Sequence, residues 1–267
     1  MVPLVVPILG FPCMAGLEWS ILVAALGASL LTLISGFGLG TLLLPVLALF
    51  FPLELAVGIT AVVHLLNNMF KFGLLWRHVD RRVLLWFGIP GIAGAWVGAL
   101  LLVRLSAMEP LYMGVRHAVD PLALVIAVLM AVFAITELVP TSSRYAFGPK
   151  ALLPGGIISG FFGGLSGHQG ALRTMFLLRS GLSKEAFIAT GIAIALLVDL
   201  TRIPVYLERF PDTLFDRWPL IVATTLAAFL GAWWGKKLIP KITMRSVQLV
   251  VGVMMLVIAA FMAAGVI

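Results

Sequence analysis

Long apolar runs alternate with short breaks of glycine, proline and charge along the whole chain. The first is Leu17–Ile34, followed by a glycine-rich break at Ser35–Gly40 and a short run, Thr41–Phe51. Leu53–Trp76, Val83–Val103 and Pro121–Pro140 come next. After a polar linker, Thr141–Lys150, a second glycine-rich break at Gly163–Gly170 separates Ala151–Phe162 from the short run Ala171–Arg179. Lys184–Leu207, Trp218–Ile239 and Thr243–Ile267 complete the series. Most runs hold about 17–25 residues, the length of helix that crosses the hydrocarbon core of a bilayer. The pattern predicts an all-α polytopic membrane protein.

Composition agrees. Of 267 residues 62% are hydrophobic and 11% charged, with a mean hydropathy of +1.15. A soluble domain carries roughly a quarter of its residues as charges, so most of this surface must face something other than water. The net charge of +7 is spread over the connections between runs and forms no patch, which argues for a positive-inside bias and against nucleic acid. A single cysteine, Cys13, excludes an internal disulfide and a cysteine-built metal cluster. Met1–Gly16 is apolar but lacks the basic start of a cleaved signal, so it reads as a retained tail.

The two halves resemble each other. Leu53-Glu54-Leu55-Ala56-Val57-Gly58-Ile59-Thr60 is matched in spacing by Ser183-Lys184-Glu185-Ala186-Phe187-Ile188-Ala189-Thr190, and Gly94-Ala95-Trp96-Val97-Gly98 returns as Gly231-Ala232-Trp233-Trp234-Gly235. The division is then an N-terminal tail (1–16), a first repeat (17–140), a linker (141–150) and a second repeat (151–267). Basic residues crowd the connection after Leu53–Trp76 (Lys71, Arg77, Arg81, Arg82) and the one before the last run (Lys236, Lys237, Lys241, Arg245), placing both inside. These connections are not equivalent in the two halves, as inversion requires. Inversion also needs an odd number of crossings per half. A run of ten helical residues rises only about 15 Å, half a bilayer. Each broken pair therefore reads as a re-entrant or broken hairpin, followed by three spans. Eight full spans in parallel halves is the alternative.

Non-helical backbone at membrane depth must line a cavity or pack against protein. The breaks are therefore the candidate site: Ser35, Gly36, Gly38, Gly40 and Thr41 in one half, and Ser166, Gly167, His168, Gln169 and Gly170 in the other. A half-helix starting after each break aims free N–H groups and its positive dipole end at the gap. Arg173, one turn further, adds a positive charge. Glycines that only let helices approach are the competing reading. His64, Asn67, Asn68 and Lys71 share one face of an otherwise apolar run, and the counterpart run carries Thr190, Asp199, Thr201 and Arg202. Asn67 and Asn68 can donate to an oxyanion without adding a fixed charge. His64 and His168, of the residue type whose free side chain changes charge near neutral pH, are candidate proton carriers. Asp199 and Arg202 are spaced to pair, for structure or for function. No Walker loop, HExxH, GxSxG or carboxylate pair is present, so neither an enzyme, a cofactor nor a metal site is expected. A small anion and the lipid bilayer are the expected partners, and a homo-oligomer stays open.

The glycine breaks, the Ala-x-x-x-Thr blocks and the Gly-Ala-x-x-Gly strings, in this order, resemble the TauE/SafE family of sulfite exporters over roughly residues 20–265. The first copy reads Gly36-Phe37-Gly38-Leu39-Gly40 through Pro45, then Ala56-Val57-Gly58-Ile59-Thr60. The resemblance implies a secondary transporter in the bacterial inner membrane, carrying sulfite or an organosulfonate. The second copy departs from it: Met175 stands where proline is expected, His168-Gln169 replaces small residues, and Arg173 matches Leu43 of the first half. A channel, or a carrier of a small carboxylate, remains an alternative.

Overall fold

The computed structural model describes residues 16–35, 39–138, 147–209, 217–238 and 244–266. These form ten helices: α1 (Gly16–Ser35), α2 (Leu39–Ala48), α3 (Leu53–Leu75), α4 (Arg81–Ser106), α5 (Pro121–Leu138), α6 (Leu152–Ser166), α7 (Gly170–Leu177), α8 (Lys184–Arg209), α9 (Trp218–Leu238) and α10 (Met244–Ala263). Helix ends carry their own signals. Asp80 Oδ1 accepts from Val83 N–H at 2.8 Å to cap α4, and Asp120 Oδ1 accepts from Ala123 N–H at 2.7 Å to cap α5. Inside α4, Leu84–Gly88 is a π turn. Pro90 has no N–H to give Trp86, so the ladder there widens. A two-stranded ribbon, Tyr112–Met113 with Ala118–Val119, lies between α4 and α5, where the hydropathy pattern predicts only a loop.

Three helical stretches, Leu53–His78, Arg81–Ser106 and Lys184–Arg209, are long and apolar enough to cross a membrane. Around the perimeter Val23, Leu74, Leu85, Trp96, Leu200, Leu226 and Val250 are exposed. An apolar surface this continuous belongs to a protein bathed in lipid. Trp19, Trp76, Trp86 and Trp218, near helix ends, are also exposed, as interfacial tryptophans are.

The main contacts between helices follow a pattern. α4 packs on α6, and α9 packs on α1; α3 packs on α8, and α5 on α10. Exchanging α1 for α6, α3 for α8, α4 for α9 and α5 for α10 leaves that list unchanged. α3 and α8 run antiparallel, as do α5 and α10. Asp80, just past α3, donates its backbone N–H to Thr190 Oγ1 near the start of α8, at 2.9 Å. Arg116 and His117, just before α5, donate theirs to the Gly265 carbonyl after α10, at 2.7 and 2.8 Å.

Two ends of the bundle can then be told apart. Asp80, Lys150, Leu152 and Ser180 share one cleft, so the start of α6 and the chain leaving α7 lie at the same end. Phe147 stacks on Phe176 with ring centroids 4.6 Å apart and fastens that base. The ribbon and the end of α10 lie at the opposite end, joined by the bond from Val115 N–H to the Ala264 carbonyl, 2.8 Å.

Candidate functional site

The second break is shorter than its glycine content predicts. α6 continues as helix through Gly163 and Gly164 to Ser166, and only Gly167–Gln169 is non-helical. Gly167 ends α6 in the left-handed region, φ 78°, and its N–H bonds the Gly163 carbonyl at 3.0 Å. That backbone is strained for any residue with a Cβ. The helical glycines have a different use. A methyl at Gly164 would lie 2.0 Å from the Ala95 carbonyl oxygen, and one at Gly160 would lie 2.1 Å from that of Gly91. They bring α6 into backbone contact with α4, the packing reading of the sequence.

After the turn, α7 starts at Gly170 with no side chain capping it, so its first N–H groups are left over for a partner. The first half meets this turn directly: a methyl at Gly40, the second residue of α2, would sit 3.4 Å from the Gly167 carbonyl oxygen. Thr41 beside it is buried. Pro45 has no N–H to return to the Thr41 carbonyl. Gly36 and Gly38 lie outside the described residues, as does the side chain of Ser35.

His168, Gln169, Asn67 and Asn68 are all buried. His168 Nδ1 lies 3.1 Å from the Ser166 carbonyl, which can only accept, so Nδ1 carries a proton. Its ring stacks on Phe133, centroids 5.7 Å apart and 7° between planes, and Nε2 has no partner. Both side-chain amide atoms of Gln169 are likewise buried and unpartnered. Arg173 has a buried, unpartnered terminal nitrogen. Its Nε would touch a methyl at Gly191 of α8, at 3.4 Å, so the side chain runs along α8 within the bundle. Asn67 Oδ1 accepts from Ser29 Oγ at 3.3 Å while its Nδ2 stays free. Among the described residues seven buried side-chain atoms have no partner, and five belong to Asn67, His168, Gln169 and Arg173.

Beside them is a charged brace. His64 Nδ1 donates to Asp199 Oδ2 at 2.6 Å, joining α3 to α8. Asn68 Nδ2 lies 3.2 Å from His64 Nε2, positioned to donate to it. Arg202 reaches Asp199 Oδ1 with Nε at 3.0 Å and a terminal nitrogen at 2.7 Å, and donates to the Gly163 carbonyl at 3.0 Å. Tyr206 donates its hydroxyl to the Gly164 carbonyl. Both carbonyls lie in the last turn of α6; that of Gly163 also accepts the Gly167 N–H, so Arg202 is its second donor. The pairing of Asp199 with Arg202 follows from their spacing. The His64–Asp199 contact across the halves does not, and neither do Ser29 or Tyr206. Tyr206 has a visible signal: with Asp199 and Arg202 it completes an i, i+3, i+7 row.

A shell of apolar helices around buried polar side chains defines a polytopic α-helical membrane protein. The family model described as "Sulfite exporter TauE/SafE" matches residues 21–262, nearly the whole chain, and the chain belongs to that family. No curated protein and no solved structure matches it.

Proposed function

We propose that the chain exports a small oxyanion, sulfite or an organosulfonate, through a site at the meeting of the two breaks. Membership of the family gives membrane transport of this class of solute. The observation that supports the site is the concentration of orphaned polar atoms on Asn67, His168, Gln169 and Arg173. A buried donor without a partner costs about 1–3 kcal/mol, and a multi-oxygen anion supplies partners to several at once. Asn68, Ser166, Gly167, Gly170, Gly40 and Thr41 form the rest of the site, with Ser35, Gly36 and Gly38 completing it from the first half.

The halves act as an inverted repeat, rocking about this site to expose it alternately to each side. Support comes from α3 running antiparallel to α8 and α5 to α10, and from a hairpin, α6–α7, that starts and ends at one face. The Asp80 end faces the cytoplasm of a bacterial inner membrane, because Arg77, Arg81, Arg82, Lys150, Arg179 and Lys184 gather there. Protons accompany the anion. With Nδ1 committed to the Ser166 carbonyl, neutral His168 offers the site a lone pair, and offers an anion a donor only once protonated. His64, hydrogen-bonded to Asp199 across the halves, is the second proton carrier.

The test is sulfite and sulfonate flux into proteoliposomes. Arg173→Ala and Asn68→Ala should each cut saturable flux by about tenfold or more, the effect of losing an anion's hydrogen-bonded charge or amide. Wild-type rates from both variants would remove the site. Conductance without saturation would make the protein a channel, and preference for a carboxylate would change the substrate. For the inversion, Pro52→Cys and Lys184→Cys in a Cys13→Ser background should label from opposite sides; labelling from one side would overturn it.

A further inference from the structure

The transport reading leaves unused the cleft at the Asp80 end. It encloses about 540 Å3 and is lined by Asp80, Arg82, Trp86, Lys150, Leu153 and Ser180, among others. Arg82 comes from the first turn of α4 and Lys150 from the short turn before α6, and both are exposed. Neither makes an ion pair among the described residues. The Asp80 carboxylate is already engaged, with Oδ1 accepting from Val83 N–H at 2.8 Å. Ser180 Oγ donates to the Leu177 carbonyl at 2.6 Å and keeps its lone pairs for a second contact. The cleft therefore offers net positive charge at its polar side.

Its other side is apolar. Trp86 and Leu153 are 56% and 44% exposed, and Leu85 next in the chain is 60% exposed. Those side chains face lipid, while the basic pair stands at the ends of the helices, at headgroup level. A free anion would need polar groups all round it. A molecule charged at one end and apolar at the other fits a cleft divided in this way. We propose that the cleft binds the phosphate headgroup of an anionic phospholipid, with Arg82 and Lys150 on the phosphate and the acyl chains along Trp86 and Leu153. Basic pockets between helix ends bind such headgroups. The lipid would bridge α4 of the first half and the base of the α6–α7 hairpin of the second.

Native mass spectrometry of the full-length protein in detergent tests this, with phosphatidylglycerol, phosphatidylcholine and inorganic phosphate as separate titrants. Phosphatidylglycerol should bind in preference to phosphatidylcholine. Arg82→Gln and Lys150→Gln should each weaken it roughly fivefold, and the two together roughly twentyfold. Arg116→Gln, on an exposed residue of the opposite end, should leave it unchanged. Melting temperatures close to wild type verify that the variants fold, and each single variant carries the test if the double one does not. Equal retention of the two lipids, or an unchanged affinity in the Gln variants, overturns the proposal. So does inorganic phosphate binding that depends on Arg82 and Lys150 without lipid binding, which would make the ligand a free anion. No transport is measured, so failure here is separate from failure of the central site.

Discussion

The seam between α4 and α6 and the seam between α3 and α8 both join one half of the chain to the other, and they use opposite materials. In the first, backbones touch: Gly94, Gly98, Gly156, Gly160 and Gly164 each leave no room for a methyl, the nearest atom being a carbonyl oxygen at 2.0–2.2 Å. In the second, side chains bridge the gap: His64 of α3 meets Asp199 of α8, which Arg202 of the same helix also holds, all three buried. Close-packed backbones in lipid gain dispersion contact over the whole length of the seam and have one register. An ionic bridge is strong only while every partner is present, and loss of one side chain undoes it. The contrast means that α4–α6, like α1–α9 at Gly231, is sensitive to added volume. The α3–α8 seam is sensitive instead to the loss of a partner.

The largest expected effect comes from breaking the second seam. Asp199→Ala leaves Arg202 and His64 buried beside no carboxylate, a loss of about 3–5 kcal/mol. Unfolding in mixed micelles should register it directly. The sharper comparison adds Arg202→Met to Asp199→Leu. The double variant should be more stable than Asp199→Leu alone, since the second change removes the orphaned charge. If it is less stable, the bridge is not acting as a charge pair, and the contrast between the seams fails.

Next in size is the glycine seam. Gly94→Ala places a methyl 2.1 Å from the Ile157 oxygen, which neither helix can relieve by turning a side chain. Overpacking of this kind costs about 1–3 kcal/mol, and more when backbone must move. Gly231→Ala probes the equivalent seam, where the same methyl would lie 2.1 Å from the Leu26 oxygen. The two variants should lose similar stability. A large loss in one half with none in the other would show that the repeated Gly-Ala-Trp string does unlike work in its two copies.

This distinction was legible in the sequence only in part. Run lengths gave every helix to within a few residues, because an apolar span is bounded by the bilayer and not by distant contacts. The Gly-Ala-Trp string recurs in the sequence, and Gly94 and Gly231 pack alike. The glycines of Gly163–Gly170 suggest a wider break than the chain has, since spacing cannot tell a glycine that ends a helix from one that seats it on a neighbour. Gly167 does the first, Gly163 and Gly164 the second. His64 with Asp199 was out of reach because the contact joins residues 135 apart in the chain, and local periodicity carries no trace of it. Tyr206 was within reach, on the face already marked by Asp199 and Arg202.

The smallest effects refine the comparison. Thr190 Oγ1 accepts the Asp80 N–H at 2.9 Å at the edge of the α3–α8 seam. Thr190→Val keeps the shape and removes one neutral hydrogen bond, for a loss of about 1 kcal/mol. That is well below the loss from Asp199→Ala, because no charge is stranded. Below it comes Gly27→Ala in α1. A methyl there meets nothing within 4 Å, although Gly27 follows Leu26, whose carbonyl touches Gly231. Being glycine in a helix of this seam is then not enough to matter; facing the neighbour is. The change should fall within about 0.5 kcal/mol of wild type, with alanine's better helix propensity acting in its favour. A loss as large as that of Gly231→Ala, measured in the same micelles, would mean that α1 tolerates no added volume on any face. The seam would then not be the line of contact drawn by Leu26 and Gly231.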